Sequence, residues 1–283
     1  PSKISPHLQE EGKSLPLEIR QKIDQLSPET AAKLKQFPVE MVKRWYSPRV
    51  YGHMFYPNAL AGIILLLLPV TLALLIDKGR WIIARRILAF SLAVIGLACL
   101  YWSGSKGGWL ISLVLVGSWL LHFPLSKKLK ISLASTAMLI GLIGFTIKYA
   151  DYFDKGATSV GARFGYWNAA IKTAIEEPFL GTGPGTFRIS YQKHRPPGSE
   201  PTRLTHNDYL QQASDSGWPG FVLYTVFLVS SVWKLSRRQF TDPVFIAIRL
   251  GLLAWTLQGA VEFGLYIPAL AWPAWLMLGW LLA

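Results

Sequence analysis

The chain has 283 residues, of which 51% are hydrophobic and only 16% charged, with 12 Trp. Soluble domains average about 25% charged residues, and here the apolar residues come in blocks, which argues against a large water-soluble core and for a polytopic membrane protein. The formal net charge of +13 sits largely in short loops between those blocks, so it reads as membrane orientation, with no nucleic-acid partner.

Residues 1–50 are polar and rich in Lys and Glu, and form an expected extramembrane region. Ser27-Pro28-Glu29 has the form of a helix start, with Ser as N-cap, Pro at the first helical position and an early acid facing the dipole. Helices are expected over residues 16–26 and 28–37, with a third near 39–46. Leu15, Leu17, Ile19, Ile23 and Leu26 supply an apolar face. No catalytic motif stands here. The chain opens on Pro1 without a signal peptide and is expected to be a fragment preceded by further spans.

Seven spans are expected: Asn58–Ile76, Trp81–Tyr101, Gly107–Phe123, Ile131–Tyr149, Trp218–Leu235, Val244–Glu262 and Leu265–Ala283. Each approaches the roughly 20 residues a helix needs to cross hydrocarbon. Helix is required because lipid offers no partner to backbone amides. Four spans thus lie in residues 51–150 and three in 218–283, with one long polar loop, 151–217, between them. Basic residues mark one side: Lys78 and Arg80 with Arg85 and Arg86, then Lys127, Lys128 and Lys130, then Lys234, Arg237 and Arg238. By the positive-inside rule that side is cytoplasmic. The Ser103–Lys106 turn, the long loop and the Glu262–Tyr266 turn then share the outer face, where any substrate is already exported. The single Cys99 lies within a span and excludes an intrachain disulfide.

Chemistry-bearing residues concentrate on that face. Lys106 sits among glycines between two spans, as either a headgroup-binding cation or an interfacial lysine. Arg163 is expected near the start of a helix that continues through Ala169–Glu177 and ends before Pro178. Amides there favour anions and a guanidinium adds a bidentate phosphate grip; the alternative is an ion pair within the loop. Gly181-Thr182-Gly183-Pro184-Gly185 lacks the spacing of a dinucleotide fingerprint and the Lys-Ser/Thr of a phosphate loop, and reads as a tight turn. The most specific signal is His206-Asn207 followed, after nine residues, by Gly217-Trp218-Pro219-Gly220. A histidine beside a bilayer can take a proton from a hydroxyl near neutral pH; the structural alternative is a helix cap. Glu262, at the outer end of a span, is a candidate to orient His206 or to counter a cation, and Asp208 competes for that role. The other histidines show no metal-ligand spacing.

These residues resemble the O-antigen ligase and polymerase superfamily, the bacterial glycan ligases with a Wzy-type C-terminal domain, from about Arg49 to the end. The His-(Asn/Ser/Gln)-x9-Gly-x-x-Gly signature is His206-Asn207 to Gly220. Tyr56-Pro57-Asn58-Ala59-Leu60-Ala61-Gly62 resembles the opening of a central span, and Arg163–Trp167 with Pro178–Gly183 resembles the large periplasmic loop. Ser103-Gly104-Ser105-Lys106-Gly107 resembles the Ser-Arg-Gly turn with Lys in place of Arg, which keeps the charge and loses the planar fork. Glu262 stands where Asp is frequent. The resemblance implies an all-α, GT-C-like membrane glycosyltransferase of the bacterial inner membrane with its active site on the periplasmic face, and several more N-terminal spans. It implies transfer of a glycan from undecaprenyl diphosphate to an acceptor hydroxyl of a glycolipid such as lipid A core, a glycan or a protein. No metal or cofactor is implied, and the reaction inverts the anomeric centre. His206, Arg163 and Lys106 then carry catalysis, with Arg188, Arg203, Asn207, Asp208, Glu262 and Tyr166 as substrate contacts and Arg195 in a secondary place. Repeat-unit polymerase and protein O-glycosyltransferase share these features. A transporter of lipid-linked glycans is the reading from a different class, and it calls for midplane charges that these spans largely lack.

Overall fold

The computed structural model describes residues 17–34, 36–37, 41–42, 45–47, 49–54, 56–76, 81–154, 156–197, 199 and 201–283. The chain divides into two compact units, Pro1–Val50 and Tyr51–Ala283. The first unit contains α1 (Leu17–Asp24) and α2 (Pro28–Leu34). Ser27 caps α2 as its sequence predicts: the Thr30 N–H donates to Ser27 Oγ at 3.4 Å, and Lys33 pairs with Glu29 one turn back. Leu15 and much of the expected third helix lie outside the described residues, as do Lys78 and Arg80.

The second unit is an all-α polytopic membrane fold. Its helices are α3 (Pro57–Ile76), α4 (Ile82–Ser103), α5 (Lys106–Leu120), α6 (Lys127–Asp154), α7 (Thr158–Glu176), α8 (Phe187–His194), α9 (Asp208–Arg237), α10 (Pro243–Gly259) and α11 (Pro268–Leu282). By length and composition α3, α4, α6 and α9 can cross a membrane, and α5, α10 and α11 are shorter apolar helices. An apolar helix therefore occupies each of the seven expected positions, but the ends differ. Helix α6 runs 28 residues, about 42 Å at the α-helical rise, so its ends overshoot the hydrocarbon and its last turn enters the loop expected to start at Asp151. Helix α10 stops at Gly259, which leaves Glu262 in the connection to α11.

Helix α3 lies between α4 and α10 and also touches α5 and α11. Small residues permit this. At Gly251 an added Cβ would stand 2.2 Å from the Leu66 carbonyl oxygen, so α10 meets the α3 backbone directly. Leu66, Leu228, Ile248, Leu252, Trp255 and Leu270 form the core beside that contact. Helices α4 and α6 keep Ile83, Phe90, Leu97, Ile140 and Ile147 exposed, the pattern of lipid-facing surfaces.

The two ends of the bundle differ in chemistry. At one end Arg249 contacts His122 and donates to the carbonyls of Leu235 and Arg238, while Lys130 donates to Leu121 O at 2.7 Å. The basic clusters around Lys127–Lys130 and Lys234–Arg238 thus share that end. At the other end the start of α5 approaches the α10–α11 connection, where an added Cβ at Gly107 would lie 3.2 Å from Val261 Cγ2.

Candidate functional site

The sequence between α7 and α9 folds onto itself through its glycines. Gly217 has φ 67° and ψ −171° and breaks α9 into two helical pieces, in a region essentially closed to residues with a side chain. Its neighbour Trp218 donates to Pro178 O at 2.8 Å, while Thr182 and Gly183 donate to the Ser214 and Asp215 carbonyls at 3.0 Å each. An added Cβ at Gly217 would stand 2.5 Å from Pro178 O, and one at Gly181 2.5 Å from Ser214 O. The turn expected at 181–185 is present, and its further role is to lock α7 to the kink of α9. Tyr166, Ala169, Ala170, Phe187 and Tyr191 pack a small core between α7 and α8. Burying each large side chain contributes about 1.5–3 kcal/mol.

Four consecutive residues at the start of α9 grasp the end of α10 and its connection to α11. His206 Nδ1 lies 3.3 Å from Glu262 Oε2. Asn207 donates to Ala260 O at 2.9 Å, Asp208 Oδ2 accepts the Leu265 N–H at 3.0 Å, and Tyr209 donates to Thr256 O at 2.9 Å. Asn207 is also the N-cap of α9, accepting from the Leu210 N–H at 3.0 Å. The capping role open to His206 by residue type therefore belongs to its neighbour. Asp208, 1% exposed, faces the 264–265 backbone, and the carboxylate that meets His206 is Glu262.

His206 itself has φ 53°, an uncommon conformation for a residue with a Cβ. Its surroundings hold it there. The buried Thr205 donates its N–H to Gln211 Oε1 at 2.9 Å, and its hydroxyl donates to Asn207 O at 2.6 Å. Gln211 continues to Asp215, which Tyr266 also bonds at 3.0 Å. Burial, then the Asp215 charge, push the Tyr266 phenol well above its ordinary range, so it remains a donor. The imidazole lies between Tyr166, stacked at 5.7 Å between centroids, and Phe263, edge-on at 4.8 Å.

Arg163 completes the cluster. Helix α7 begins at Thr158, so Arg163 occupies its second turn and not its N-terminus. The expected support from terminal amides is absent because the effect is confined to the first turn. The guanidinium forms an ion pair with Glu262 Oε1, outside its own loop, and Asn58 at the start of α3 donates to the same oxygen. The Arg163, Glu262 and His206 side chains are 19%, 11% and 28% exposed, so the carboxylate is the innermost member and the imidazole the most accessible. With Nδ1 protonated toward Glu262, the His206 Nε2 lone pair is available as a base.

The structure thus brings together His206, Arg163, Glu262 and Tyr166. It engages Asn207 and Asp208 with the backbone that carries Glu262. Lys106 opens α5, where Ser105 Oγ accepts the Gly108 N–H at 3.1 Å. Its ammonium lies 3.5 Å from the centroid of the Tyr152 ring and 5.0 Å from that of Tyr149, both on α6. Arg188, Arg195 and Arg203 are exposed, and among the described residues none forms an ion pair. Asn58 and Phe263 are members of the cluster absent from the sequence-derived site. Asn58 left a signal, a polar amide opening an otherwise apolar span, which in a membrane calls for a partner.

Residues 91–225 match the family model described as O-antigen ligase. The match is narrower than the expected extent from Arg49 to the end. It includes Lys106, Arg163 and the His206–Gly220 signature and leaves out Asn58 and Glu262. No curated protein gives a significant match to the chain.

Proposed function

From a chain whose residues 91–225 match the O-antigen ligase family model, we propose a membrane glycosyltransferase that moves a glycan from undecaprenyl diphosphate to an acceptor hydroxyl on the periplasmic face. The observation that supports this most is Glu262 bridging Arg163 and His206. One carboxylate there orients a base and holds a phosphate-binding cation beside it. His206 Nε2 takes the acceptor proton as the acceptor oxygen attacks the anomeric carbon. The bond from that carbon to the diphosphate oxygen breaks, its electron pair leaves with the diphosphate, and one displacement inverts the centre. Glu262 stabilises the imidazolium that forms.

Arg163 offers five N–H groups and commits Nη2 to Glu262, so the rest of its fork serves the developing charge on the diphosphate. Lys106, at the same end of the bundle, is a second cation for that charge. Asn207 and Asp208 act by positioning the segment that carries Glu262. The acceptor is a glycolipid such as lipid A core, which makes the chain a ligase.

The test is transfer by the full-length protein from a synthetic undecaprenyl-diphosphate glycan. His206→Ala and Arg163→Ala should each reduce product by at least about 10²-fold, as losses of a base or of a charge stabiliser do. The unfolding temperature should stay within a few degrees of wild type. Near-normal transfer by His206→Ala would remove the base from the scheme.

A further inference from the structure

The basic end of the bundle carries a cavity that the transfer site does not use. It has a volume of ≈ 680 Å³ and lies between the ends of α5 and α9 and the start of α10. Arg237, Arg238, Arg249 and His122 line it, with Leu121, Val232 and Leu253 among its apolar walls. No Asp or Glu is among the lining residues. No carboxylate among the described residues pairs with any of the three arginines.

Two of the guanidiniums are fixed in place. Arg249 Nη1 donates to Leu235 O and Arg238 O at 3.3 Å each, and Arg238 Nη1 donates to Leu281 O. Arg237 stacks on Trp233 with 4.6 Å between the guanidinium carbon and the ring centroid. Loop charges that only orient a protein in the membrane need no such fixing. Two fixed forks, with a third guanidinium stacked beside them, suit the tetrahedral, several-oxygen surface of a phosphoryl group.

The height of the cavity is set by tryptophans. Trp119, Trp233 and Trp280 stand at this end of α5, α9 and α11 and are 50%, 60% and 59% exposed. Exposed indoles at the ends of apolar helices mark the headgroup level of a bilayer. Basic pockets at that level, with apolar walls for the first methylenes of an acyl chain, suit anionic lipids. We propose that this cavity binds the phosphoryl headgroup of an anionic phospholipid.

The experiment is a titration of the purified full-length chain in neutral detergent. The probes are dioleoylphosphatidylglycerol, dioleoylphosphatidylcholine and inorganic phosphate, with native mass spectrometry counting bound lipid. The expected result is one tightly held phosphatidylglycerol per chain, and phosphatidylcholine at least about tenfold weaker. Arg237→Gln with Arg238→Gln should weaken phosphatidylglycerol by about 30-fold, the effect of two basic contacts at a membrane surface. Lys127→Gln with Lys128→Gln removes the same charge from the same end outside the cavity and should change it by less than about threefold. Equal losses in the two pairs would reduce the effect to diffuse surface attraction and overturn the site. Displacement by millimolar inorganic phosphate would make the ligand a free phosphate and overturn the lipid assignment. If the arginine pair fails to fold, Val232→Trp fills the cavity without altering charge. It must then abolish the tight phosphatidylglycerol, and retention would refute the proposal.

Discussion

Replacing Glu262 by Gln changes one atom type at the centre of the cluster. The carboxylate accepts from Asn58 and Arg163 at Oε1 and from His206 at Oε2. Two donors at Oε1 hold the amide oxygen there, so the new NH₂ faces His206 Nδ1. A donor against Nδ1 moves the ring proton to Nε2 and removes the lone pair that takes the acceptor proton. In a histidine–carboxylate couple the wrong tautomer costs about 10⁴ in kcat. The Nδ1–Oε2 separation of 3.3 Å is longer than the roughly 2.7–2.9 Å of a strong charge-assisted bond. The expected loss is therefore smaller, about 10²–10³-fold, or about 3–4 kcal/mol of transition-state stabilisation. The assay is single-turnover transfer from a synthetic undecaprenyl-diphosphate glycan, with KM for the donor and the unfolding temperature measured alongside. Loss should appear in kcat with KM changed less than about threefold, and Glu262→Asp should recover part of the rate. A Glu262→Gln enzyme within fivefold of wild type would refute the carboxylate–imidazole coupling.

Gly217→Ala should destabilise the chain by about 2–6 kcal/mol, from about 1–3 for the backbone conformation and about 1–3 for overlap with Pro178. Thermal unfolding in detergent checks it, and a shift under 1 °C would show that the kink relaxes freely. Transfer should be unchanged in excess EDTA, while a loss that added Mg²⁺ restores would contradict metal-independent chemistry. The Lys193 hydrogen bond, chiefly, holds the Glu176 carboxyl below its ordinary value of 4.5. A lowered folded value means its contribution is present above the unfolded value and fades as pH falls through the folded one. Between pH 5 and about pH 3, Glu176→Gln should therefore lose less unfolding temperature than wild type, by a small margin for so exposed a pair.

Several features are legible in the residues alone. The apolar blocks have to be helices, since each backbone amide in lipid needs an internal partner, and an apolar helix stands at each expected place. Ser27 capping α2 and the turn at Gly181–Gly185 are readable from residue type. The His206–Gly220 spacing singles out the right end of the loop, because a kink 11 residues after a histidine is a local property of α9. Other readings fail for local reasons too. The residue pattern puts Arg163 near a helix start, but the Thr158–Ala162 segment, weak in helical preference, is held in α7 by Tyr152, whose hydroxyl bonds Ser159 Oγ at 2.7 Å and accepts the Val160 N–H at 3.1 Å.

The sequence by itself thus determined the helical class, the membrane setting, and His206 and Arg163 as candidates. Only the tertiary structure decided what they meet. Glu262 is 56 positions from His206, 99 from Arg163 and 204 from Asn58. That four-way meeting depends on α3 and α10 packing at Gly251 and Leu66, and on the run from His206 to Asp208 holding the α10–α11 connection. Periodicity along a chain reports which face of a helix is apolar. It carries no term for which distant polar group will satisfy a buried carboxylate, because that choice is made by helix packing after the helices exist.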